Sequence, residues 1–189
     1  MLTYLDKAHG AIGEIGLDRW IKDYDLKQQE QVFVWQLGVA AERNLPVSIH
    51  CLQAWGKLLE LLRSELRPRC GFVLHSFGGP REMISELAEL GAYFSLPGYF
   101  AHDRKERQRD AFRHVPAERL LLETDAPDQL LPPERDRYPL VDNASGKPIN
   151  HPANLGAVYH FAAELFEEPV EELATRVEAN FSRLFAGWM

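Results

Sequence analysis

Cysteine is scarce in this sequence: Cys51 and Cys70 are its only two. Two thiols make no disulfide framework, and a reduced, cytoplasmic chain is the simpler reading. No apolar run approaches the roughly 18 residues that a membrane span needs. The N-terminal stretch MLTYLDKAHG lacks a signal-peptide pattern, because Asp6 and Lys7 interrupt what would be its apolar segment. Basic residues are in deficit, 21 against 28 acidic ones, for a net charge of −7. That balance argues against a broad basic nucleic-acid surface, yet divalent metals neutralise phosphates locally and leave a nucleic-acid substrate open. There is no internal repeat or low-complexity tract. Serine nucleophile elbow, phosphate loop and glycine-rich dinucleotide fingerprint are all missing.

What is present is a core. The chain has 189 residues, 46% of them apolar, enough for one domain over residues 1–189. Strand-like and helix-like segments alternate throughout, which predicts an α/β fold with a parallel sheet and helices outside it. Residues 11–20, AIGEIGLDRW, read as a buried strand that carries a carboxylate, Glu14, within its apolar run. A helix follows over 26–43, with Val32, Phe33, Leu37 and residues 39–41 at helical spacing, and Asn44 stops it. PVSIHC, GFVLHS, AYFSLPG and RLLLETD supply four further strands. Between them lie a helix over 54–66, with Leu58, Leu59, Leu61 and Leu62 inward, and one ending at Leu90 before Gly91. Residues 102–112 are charged and read as a solvated helix. The proline-rich stretch 125–152 reads as a lid or as disordered, and helices over 153–166 and 170–185 close the chain.

In parallel α/β folds the ligand sits at the carboxyl ends of the strands. His50, His75 and Asp125 lie at such ends, and Glu14 lies near one. Period-2 alternation puts Ser48 with His50, Val73 with His75, and Glu123 with Asp125 on shared faces. It likewise groups Glu14 with Gly16 and Asp18, and turns Ile49, Leu74 and Cys51 toward the helices. Each residue alone has an ordinary explanation, since a lone strand-end histidine is more often hydrogen-bonded than a ligand. Recurrence shifts the balance: four of five strands end this way, which points to a divalent-metal hydrolase. Facing the opposite side from His50, Cys51 is not half of a Cys–His nucleophile pair.

The motifs GEIGLD (13–18), PVSIHC (46–51), VLHSF (73–77), LLLETDAP (120–127), PANL (152–155) and NFSRLF (180–185) occur in that order. In them the chain resembles the TatD-like metal-dependent deoxyribonucleases, within the amidohydrolase-type (β/α)8 TIM barrels. The resemblance implies two divalent ions (Mg, Mn or Zn), with Glu14 bridging them, His50 and His75 on one and Asp125 on the other. It implies phosphodiester cleavage in DNA by two-metal water activation, with Glu14 and Asp125 catalytic and Asp125 taking a proton from the attacking water. By position, Asp18, Glu123 and Ser48 would orient the ligands.

The departures are as informative. Family members open with a strand ending in His-x-His, and this sequence has none; its other histidines are His9, His102, His114, His151 and His160. GEIGLD is the family's fourth strand, so strands four to eight are expected here: a partial, N-terminally incomplete barrel. Its open edges invite self-association, and one ion in place of two is a second expectation. Leu52 and His151 replace residues that relatives often carry near the phosphate, an arginine and an acid. Two rivals stay open: a small-molecule amidohydrolase or phosphoesterase on the same barrel, and a non-catalytic shortened paralogue. For substrate contact the candidates are His102 and Arg104 after the fourth strand, and His151 at the start of a helix. Tyr99 and Phe100 could stack on a base, while Arg135, Arg137 and Lys147 read as a solvated mixed-charge loop.

Overall fold

The structure is a computed structural model and describes Leu5 and residues 10–186. Most of the stretch MLTYLDKAHG, including Asp6, Lys7 and His9, lies outside the described residues. Five parallel strands, β1 (Ile12–Asp18), β2 (Val47–Leu52), β3 (Phe72–Leu74), β4 (Ala92–Pro97) and β5 (Leu120–Glu123), pair in chain order. Helices α1 (Leu26–Arg43), α2 (Trp55–Ser64), α3 (Ile84–Glu89) and α4 (Glu106–Phe112) connect them. After β5 come a hairpin of β6 (Leu140–Val141) and β7 (Pro148–Ile149), then α5 (Leu155–Phe166) and α6 (Val170–Phe185). Among the described residues the sheet does not close, and β1 and β5 are its edges.

Pleating decides which side chains meet the helices. Val47, Ile49 and Cys51 alternate with half-buried Ser48 and His50 along β2, and fully buried Phe72 and Leu74 flank Val73 on β3. The helical side is sealed by aromatics, with Phe77 edge-on to Trp55 at 4.8 Å and to Phe94 at 5.0 Å. Asp25 caps α1 by accepting from the Gln28 amide, and Asn44 ends it in a left-handed turn (φ 50°). Buried Asn180 fastens α6 beneath β5 by donating to the carbonyls of Ala117 and Leu120.

Several expectations need correction. The β1 register shifts between Ile12 and Ile15, Gly13 and Glu14 are both exposed, and Glu14 is not buried. Val32 is 48% exposed: α1 buries Phe33, Leu37, Val39 and Ala40 instead, because its inward stripe is narrower than its apolar content. On α2, Leu61 is only partly buried, unlike Leu58, Leu59 and Leu62. Residues 102–112 are not one solvated helix but a short 3-10 turn (Asp103–Lys105) and α4, which buries Ala111 and Phe112. The 125–152 stretch is folded, held by buried Asn150 and Asn154. Asn150 donates to the carbonyls of Thr124 and Gln129, and Asn154 accepts from the amides of Arg137 and Tyr138.

Candidate metal centre

Glu14 within β1, His50 near the carboxyl end of β2 and His75 just beyond β3 converge. One ligand atom from each lies within 4.8 Å of the others. The strands are brought into contact by Gly16: a Cβ there would sit 1.8 Å from the His50 carbonyl oxygen, so only glycine lets β1 lie this close to β2. His50 Nδ1 faces His75 Nε2 at 3.3 Å, with the rings stacked 5.5 Å apart. Glu14 approaches both, 3.9 Å from His50 Nδ1 and 3.8 Å from His75 Nε2.

Each imidazole is held from behind by a carboxylate. Asp18 Oδ2 lies 3.3 Å from His50 Nε2, and Glu123 Oε1 lies 3.3 Å from His75 Nδ1. A ring nitrogen that donates to a carboxylate leaves the other as a lone pair. Both lone pairs then point at each other, an arrangement that needs a proton or a cation between them. Tetrahedral bonds of about 2.1 Å would separate two nitrogens by about 3.4 Å, close to what is seen. The donor set of two imidazoles and one carboxylate suits a borderline divalent ion.

Proton affinities in the metal-free arrangement agree with this need. Burial disfavours a charged His75, but the hydrogen bond and charge of Glu123, with the charges of Glu14 and Asp125, outweigh it and raise its pKa to about 9. Burial likewise opposes a charged Glu123; the His75 contact and the hydroxyls of Ser76 and Ser95 reverse this and hold its pKa below the ordinary value. For Asp125, burial is the main cause of an upward shift, assisted by the charges of Glu123 and Glu14.

Asp125 stands beside this trio rather than in it. Its backbone is left-handed (φ 56°), which aspartate tolerates. Oδ1 lies 3.7 Å from His75 Nδ1, the nitrogen already facing Glu123, and Oδ2 accepts from Gln129 Nε2 at 2.5 Å. The same Gln129 amide donates to Ser76 Oγ at 2.7 Å, and Ser76 donates to Glu123. Glu14, Ser48, His75, Glu123 and Asp125 all border one open cleft of about 380 Å³, together with Pro152 and Leu155.

The remaining candidates lie elsewhere. His102 Nε2 is 3.0 Å from the Leu130 carbonyl oxygen, and Arg104 donates to the Tyr99 hydroxyl with its guanidinium 5.1 Å above that ring. His151 accepts from the Ala153 amide through Nδ1 and stacks on Tyr138 at 5.8 Å. Phe100 is buried. Cys51 is buried too, and burial pushes its thiol up to about 12, far from a nucleophile's range. Sequence reasoning overlooked Ser76, Ser95 and Gln129. Ser95 had a signal, a hydroxyl inside the apolar strand AYFSLP, and Ser76 followed a candidate ligand. Gln129 had none, because only the turn after Asp125 returns it to the site.

A family profile described as TatD related DNase matches residues 3–186. The chain is 38% identical over 175 residues to an "Uncharacterized metal-dependent hydrolase YcfH" of Escherichia coli K12, across 93% of this chain and 62% of that protein. It is 37% identical over 176 residues to a "3'-5' ssDNA/RNA exonuclease TatD" of Shigella flexneri, across 93% of this chain and 65% of the relative. Among solved structures, the TatD homologue YjjV of Escherichia coli K12 superposes with a TM-score of 0.79 at 32% identity, over 93% of this chain and 63% of that one. The chain thus spans less than two thirds of the length of these proteins.

Proposed function

Because the chain belongs to the TatD-related DNase family, we propose that it works as a divalent-metal phosphodiesterase on single-stranded nucleic acid. The observation that carries this reading is the pair of facing imidazole nitrogens, 3.3 Å apart, each imidazole backed by its own carboxylate. Glu14, His50 and His75 would hold an ion, which when bound supplies Lewis-acid polarisation of phosphate and water. Glu123 keeps His75 in the tautomer that leaves Nε2 open, and Asp18 does the same for Nδ1 of His50. Asp125 faces the cleft from the β5 side and takes a proton from water as that water adds to phosphorus and the leaving P–O bond breaks. Its upward-shifted pKa makes it a better acceptor than an exposed aspartate. The free thiols of Cys51 and Cys70 fit a reducing, cytoplasmic setting.

A one-ion centre of low activity is the second reading, favoured by the single ligand trio found among the described residues. Elemental analysis after dialysis against metal-free buffer, with Mg²⁺, Mn²⁺ or Zn²⁺ then added back, tests both. At least one ion per chain is expected in wild type, and none in His50→Ala or His75→Ala. Two ions would bring Asp125 into a second centre, and no binding of any of the three ions would sink the proposal.

A further inference from the structure

A second cleft, of about 570 Å³, is lined in part by the segment that also borders the candidate metal centre. Pro152 and Leu155 face the metal cleft, whereas Ala153, Gly156 and Ala157 line this one. The two clefts are therefore lined by interleaved residues of one short segment, 152–157. One wall of the second cleft is made of these small residues. Tyr138, 52% exposed and stacked with His151, supplies an aromatic flank. Arg135, which donates twice to Glu164 and lies over the Phe161 ring at 5.7 Å, supplies a rigid polar end. Arg137 and His160 line it as well.

We propose that this cleft is a nucleobase slot, holding a base of the strand next to the phosphodiester at the metal centre. The inference rests on the phosphodiesterase reading. Three observations converge on it. The volume falls in the range of small-ligand sites. The half-exposed Tyr138 ring borders the same cleft as the small residues Ala153, Gly156 and Ala157, so an aromatic surface and room beside it are both there for a base to stack. The Arg135–Glu164 ion pair and the Arg137 guanidinium put polar groups and a fixed positive charge on the same lining, within reach of a base edge and its adjoining phosphate. A wholly electrostatic track would not require the aromatic flank or the small-residue wall.

The test separates bases from phosphates. A fluorescent oligothymidylate and a strand of the same length built from abasic sites are titrated in chelator, by anisotropy, against wild type, Gly156→Leu and Tyr138→Ala. A Cβ added at Gly156 meets no heavy atom within 4 Å, so leucine there fills the slot without a clash of that atom. Wild type is expected to prefer the base-bearing strand by about tenfold, and both variants are expected to lose that preference while still binding the abasic strand. Equal wild-type affinity for the two strands overturns the slot, as does a preference that survives in both variants. Wild type binding neither strand refutes the nucleic-acid reading itself, and the slot falls with it.

Discussion

Two regions border the candidate cleft, and they are built by different physics. The β1–β3 ends place Glu14, His50 and His75 by strand pleat and register, so side-chain direction follows from the hydrogen-bonded ladder. The 125–152 segment places Asp125 and Gln129 without a ladder. It relies on Asn150 and Asn154, whose amides tie the loop to α5 and to itself. The first region is expected to tolerate loss of a ligand, because its backbone is held by the strand ladder. The second is expected to loosen when one buried amide is removed, because its hydrogen bonds converge on two side chains.

That contrast can be tested at its strongest point with Gly16→Ala. The added methyl would lie 1.8 Å from a backbone oxygen, and β1 must separate from β2. A destabilisation of about 4 kcal/mol or more is expected, seen as loss of the cooperative unfolding transition in urea. A normal transition would mean that β1 does not fix the ligand geometry.

Next in size is Asp125→Asn. Turnover on a single-stranded oligonucleotide is expected to fall by about 10²–10⁴-fold, the usual worth of a general base. Its unfolding midpoint should stay close to wild type, since Asp125 is only partly buried. Unchanged turnover would remove Asp125 from the chemistry.

Asn154→Ala probes the loop. Asn154 is 1% exposed and bonds to the amides of Arg137 and Tyr138 and to the side chains of Asp136 and Asn150. Leaving such partners unpaired should cost about 2–3 kcal/mol, with protease cleavage appearing first within residues 125–150. Global melting with no local sensitivity would show that the loop and the sheet unfold together.

Per unit of change the gentlest expected effect is one of pH. His75 must lose its proton to bind an ion, and its pKa of about 9 lies above the ordinary 6.5. Metal affinity should therefore rise by about tenfold per pH unit up to about pH 9, then level off. In the metal-free protein the sign is opposite for stability. The raised pKa contributes fully below pH 6.5 and the contribution is lost as pH rises through about 9. Calorimetric titration with Mn²⁺ in buffers of differing ionisation enthalpy would report the proton released, and a flat profile would reassign the shared proton away from His75.

The placement of Glu14, His50 and His75, the candidate ligands, was readable because each sits on or beside a strand. Period-2 spacing puts Ser48 and His50 on one face, and the motifs around them identify the strand ends. What could not be read is how β1 meets its neighbour: the register shift that exposes Glu14 belongs to a pairing between residues 12–15 and 47–49. The 125–152 segment was harder still. Its prolines suggested a lid or disorder, yet the amides of Asn150 and Asn154 fold it, and such contacts carry no periodic signature.

By itself, then, the sequence determined the alternation of strands and helices, the family, and which imidazoles and carboxylates lie at strand ends, because these depend on local spacing. Only tertiary structure decided that Asp18 and Glu123 take the outer ring nitrogens, that Gln129 links Ser76 to Asp125, and that one segment, 152–157, lines both the metal cleft and the cleft beside Tyr138. Those are relations between segments tens of residues apart, and only packing brings them within hydrogen-bond reach.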